Sequence, residues 1–64
     1  MEYFVIDKNW VGLLVTKDLV KLKEFLDNNQ TWETVLKREN IGDNWIFVTN
    51  KLNYDYDLRG SSLF

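Results

Sequence analysis

The chain has 64 residues and a net charge of −2, and it carries three Trp, three Tyr and four Phe. It has no cysteine and no histidine, which excludes disulfides, the Cys/His ligand sets of structural zinc and the usual Ser/Cys–His nucleophile pairs. The mild acidity disfavours a life on nucleic acid, which rewards a basic surface, and no apolar run approaches the roughly 20 residues that span a bilayer.

In chain order, Glu2–Ile6 is a run of β-formers and Asp7-Lys8-Asn9 is turn-prone. Trp10–Thr16 is a second β-rich run, so the two predict a hairpin with a three-residue loop. Gly12 inside the second run marks a bulge or a close approach. Asp18–Asn28 predicts an amphipathic helix. At about 100° per residue, Leu19, Leu22, Phe25 and Leu26 share one arc, and only Val20 strays. Asp18 suits the N-cap, and Asn28-Asn29 suit a left-handed exit.

Thr31–Glu39 reads both ways. Trp32, Val35 and Leu36 have helical spacing, whereas Trp32, Thr34 and Leu36 alternate. The balance favours a second short helix with Gly42 just past its end. Trp45–Thr49 predicts a third strand, and Tyr54–Leu58, which alternates, a fourth at an edge. The expected fold is therefore a single α+β domain over residues 1–64, with a flexible tail at 60–64. It holds a mostly antiparallel four-stranded sheet in the order ββααββ, covered on one face by one or two short helices.

Side chains alternate faces along a strand. One parity set, Phe4, Ile6, Val11, Leu13, Val15, Ile46 and Val48, is mainly aliphatic and suits the helix. The other, Tyr3, Trp10, Trp45, Phe47, Tyr54 and Tyr56 with Val5 and Leu14, is rich in aromatics and has nothing left to cover it. Three readings compete. A strongly curled sheet hides both faces; a protein partner or an identical subunit covers the aromatic face; or bases stack on it. Asp55 and Asp57, alternating with the tyrosines, weigh against the last.

No chemistry motif holds. Asp55 with Asp57, or Glu33 with Asp43, are carboxylate pairs without a pocket to work in. Asp55–Gly60 has the start of a calcium loop, but the bidentate Glu that must follow has no place before Phe64. No glycine-rich phosphate loop is present. No catalytic residue, cofactor or metal is expected. The acidic start Met1–Asp7 is unlike a signal peptide, so the expected location is the cytoplasm. Asn, Lys, Ile, Phe and Tyr are abundant and Ala and Pro are absent. That is the composition of an AT-rich genome, and a short acidic chain of this kind is expected from a phage or mobile element. The function expected is a small non-enzymatic interaction module, an inhibitor or adaptor binding a cellular protein through Tyr3, Trp10, Trp45, Phe47, Tyr54 and Tyr56 or through an edge strand. A homodimer is a second form of this reading. The alternative is a nucleic-acid-binding regulator with an aromatic platform.

Overall fold

Four strands and one helix make up the computed structural model, which describes residues 1–54: β1 (Glu2–Asp7), β2 (Gly12–Thr16), α1 (Leu19–Asn28), β3 (Trp32–Arg38) and β4 (Ile46–Asn50). The sheet order is β2-β1-β3-β4, and every ladder is antiparallel. The class is α+β. The element order is ββαββ, with a strand where the second helix was expected. Among the described residues β2 and β4 are the edges and do not pair with each other, so the sheet is open. Ile46–Asn50 is the fourth strand, and of the expected strand Tyr54–Leu58 only Tyr54 is among the described residues. Tyr54 follows a turn after β4, and Asp55–Leu58, like the expected tail, lie outside the described residues.

The first hairpin turns on Asp7. Its carboxylate accepts from the amides of Asn9 (2.8 Å) and Val11 (3.0 Å), and its carbonyl accepts from the Trp10 amide (3.0 Å). The loop is Lys8–Trp10, one residue later than expected. Trp10 closes it with φ of 66°, the left-handed position that normally falls to Gly or Asn in such loops. The helix begins as its N-cap predicts: Asp18 Oδ1 accepts from Val20 N (2.9 Å) and Lys21 N (3.3 Å). Its end differs. Asn29 is extended, with φ of −123°, and its side chain donates to the Phe25 carbonyl (2.9 Å). The Leu26 carbonyl takes the Trp32 indole N–H (3.0 Å). Two of the last orphan carbonyls are thus satisfied by side chains instead of a left-handed exit.

The strand at 32–38 explains its own helical look. Ile6 pairs with Thr34 but Asp7 with Trp32, so Glu33 is an extra residue in β3. A bulge breaks the period of two. It lets Trp32 and Val35, three apart, both face the helix, as a helix would place them. The same device occurs in the other ladders. Leu13 is extra in β2 and Val48 in β4, and there Leu13 and Leu14 both pack on the core while Val48 and Thr49 are both buried.

The core lies between α1 and one sheet face: Leu22 and Leu26 against Tyr3, Val5, Trp32, Val35 and Val48. Leu13, Leu14, Phe25 and Tyr54 pack around it. The expected partition is inverted along β1. Tyr3 and Val5 face the helix, while Phe4 and Ile6 face away, because their partners Leu36 and Thr34 do. Val48 sits in the core as expected, but Val11, Val15 and Ile46 are exposed.

Trp32 is 2% exposed, and removing its indole N–H leaves the Leu26 carbonyl buried without a donor. Trp32→Phe is therefore expected to cost about 2 kcal/mol in urea unfolding; a loss under about 0.5 kcal/mol contradicts this role. Burial pushes the Tyr3 phenol above its ordinary value of 10.0, so the folded state favours the neutral form. Its contribution is complete below pH 10 and is lost as pH rises through the higher folded value. The wild type should lose stability above pH 10 more steeply than Tyr3→Phe, and parallel alkaline limbs would sink the assignment.

Candidate interaction face

One helix covers one face of the sheet, and the other face is lined by apolar and aromatic side chains. Three cross-strand rows build it. Phe4, Leu36 and Phe47 form the middle row, with Val15 beside Phe4 on β2. Ile6, Thr34 and Asn50 form the row toward the Asp7 end, and Glu2 with Arg38 the row at the other end. A shallow concavity of about 560 Å³ runs over these rows. Its floor holds Phe4, Ile6 and Leu36, and Trp10, Trp45 and Phe47 line it with Glu33, Thr34 and Asn50.

Local chemistry fixes each wall. Trp45 precedes β4 and lies over Phe4, ring centroids 5.2 Å apart and tilted by 39°. The Arg38 guanidinium sits 4.2 Å from the Trp45 ring and is held by Glu2 through a 2.7 Å ion pair. Trp45 is therefore held by contacts with an aromatic ring and with a cation, each worth on the order of 1 kcal/mol. Gly12 gives the Phe4 ring its room, since a Cβ there would lie 2.8 Å from Phe4 Cε1. At the opposite end Trp10 is 79% exposed, and its backbone is fixed by the Asp7 turn. Phe47 is 56% exposed.

The structure divides the residues proposed from sequence. Trp10, Trp45 and Phe47 share the open face. Tyr3 does not: it is buried under the helix. Tyr54 is also on the helix side, edge-on to Trp32 (centroids 5.3 Å, 83°) with its hydroxyl donating to Asp27 Oδ1 (2.8 Å). Tyr56 lies outside the described residues. Phe4, Ile6 and Leu36 belong to the face and were assigned elsewhere. The signal that would have found Leu36 is its alternation with Thr34, outweighed by the three-residue step that the bulge creates. Of the carboxylate pairs considered, Glu33 lines this concavity, while Asp43 closes the loop after β3 by accepting from Asn40 N (3.1 Å). Among the described residues no group of three or more His, Cys, Asp or Glu is placed to hold a metal, and no helix is long and apolar enough to cross a membrane.

Comparison with protein-family models, with curated proteins and with solved structures gives no match.

Trp10 is the strained member of the face. A left-handed backbone costs a non-glycine residue roughly 1–2 kcal/mol, and glycine recovers it less roughly 0.5–1 kcal/mol of unfolded-chain entropy. Trp10→Gly should therefore raise stability by about 0.5–1 kcal/mol in urea unfolding. A fall in stability would mean that the ring is there to support the fold.

Proposed function

We propose that the chain is a non-enzymatic interaction module, an inhibitor or adaptor, that binds a cellular protein through the open sheet face. The observation that carries this reading is Trp10. A large aromatic ring stands mostly in solvent on a backbone that prefers glycine, at the end of a concavity whose floor is already apolar. Strain kept at an exposed position is a mark of function, and Trp is the residue most often found at interface hot spots. Phe47 and Val15 extend the same patch, also more than half exposed, and patches of this kind mark binding surfaces.

The mechanism is steric: Trp10 and Phe47 are buried against the partner, and whatever used that partner surface is displaced. A cytoplasmic setting and a phage or mobile-element origin fit a short acidic chain of this composition and belong to the same proposal. Base stacking is the weaker reading. Arg38 is the cation beside the aromatic rings, and Glu2 already holds it.

The test is capture from host lysate by the immobilised chain, with Phe47→Ser and Trp10→Ala as face variants and Lys23→Ser, exposed on α1, as the control. The expected outcome is a protein retained by wild type and by Lys23→Ser and lost from both face variants, while Phe47→Ser changes stability by less than about 1 kcal/mol. Equal retention by all four baits would end the proposal. Retention of mixed oligonucleotides that falls steeply with salt would favour the nucleic-acid alternative.

A further inference from the structure

We infer that the partner enters the concavity with a basic side chain, a lysine or an arginine, whose charge is received by Glu33 and whose stem lies along the aromatic walls. This rests on the interaction-face reading and names the chemistry of its ligand. Glu33 is the charged residue among those lining the concavity. Its carboxylate has no hydrogen-bond or ion-pair partner among the described residues. The extra-residue position in β3 puts it there, beside the pairing of Trp32 with Asp7 and so at the Trp10 end of the face. An unpaired carboxylate next to indole and phenyl rings creates a local preference for cations, because the ring faces are themselves negative. An anion meets the opposite conditions.

The chain already carries a small version of this contact. Arg38 stacks on Trp45 while Glu2 balances its charge. At the other end Trp10 and Glu33 line the concavity together, and among the described residues no cation is paired with Glu33. The chain's own lysines do not supply one: Lys8 and Lys51 share an adjoining concavity with Glu33, but among the described residues neither forms an ion pair with it. Lys51 donates its ammonium to the Gln30 carbonyl. The net charge of −2 also favours a basic partner.

The probe is N-acetyl-arginine methylamide, titrated into the whole chain and followed on the three tryptophan indole N–H resonances. N-acetyl-norleucine methylamide is the neutral control of similar reach. Trp32 is an internal reference, since its indole is buried and bonded to Leu26. The expected result is saturable shifts of the Trp10 and Trp45 indoles with Trp32 unmoved, weaker binding of the norleucine probe, and an affinity for the arginine probe about fivefold lower in Glu33→Gln. Glu33 is exposed, so Glu33→Gln keeps the fold. Equal affinity for the two probes, or no effect of Glu33→Gln, overturns the proposal and leaves the interaction face standing as a plain apolar site. No shift at Trp10 or Trp45 overturns it as well. Indole shifts that depend on protein concentration without any probe would place a second copy on the face and overturn it too.

Discussion

The bond from the Trp32 indole to the Leu26 carbonyl joins α1 to the sheet, and most of the structure depends on it. A ten-residue helix is too short to be stable by itself in water. It is held by its apolar stripe and by its ends, where Asp18 satisfies the first amides and Trp32 and Asn29 satisfy late carbonyls. The Glu33 bulge makes this possible, because without it Trp32 would share a face with Thr34 and Leu36. Tyr54 then closes the edge of the same cluster and ties back to Asp27. One side of the sheet thus receives the helix, while on the other Trp45 lies over Phe4 and Ile6 is buried in the floor.

The elements with strong local chemistry were legible. The first hairpin follows from its β-formers around Asp7, and the helix from Leu19, Leu22, Phe25 and Leu26 with Asp18 in front. The sheet's faces were not legible, for one reason repeated three times. Parity arguments require an unbroken period of two, and every ladder contains an extra residue: Leu13, Glu33 or Val48. The bulge at Glu33 also gave β3 the three-residue step of a helix, and the β-branched Thr34 and Val35 between them carried the better signal. The aromatic content of a set proved a poor guide to its exposure, since Tyr3 and Trp32 are core residues. Trp10, Trp45 and Phe47 lie on the open face, but two of them, Trp10 and Trp45, stand just outside strands and owe their positions to the turn and loop beside them.

A chain of this size has little stability to spare, since small domains bury a smaller share of their surface. Against that background the open face is costly. It keeps Phe47 and Val15 in water and fixes Trp10 in a left-handed backbone. It also uses Gly12 to seat the Phe4 ring beneath Trp45. The two ends are chemically different. At one, Arg38 and Glu2 neutralise each other around Trp45; at the other, Glu33 has no ion-pair partner among the described residues. That asymmetry gives a ligand an orientation as well as a place, and it is the basis for reading the face as a binding surface for a basic group.

The central claim is that, among the described residues, the sheet has one face covered by the helix and one left open. The most direct measurement is the attenuation of ¹H–¹⁵N and side-chain NMR signals by a soluble paramagnetic agent, read on both faces of the same strands. The account predicts strong attenuation at Trp10, Val15 and Phe47 and protection at Tyr3, Val5, Trp32 and Val35. Protection of Trp10 and Phe47 equal to that of Val5 and Val35 in a dilute, monomeric sample would contradict it.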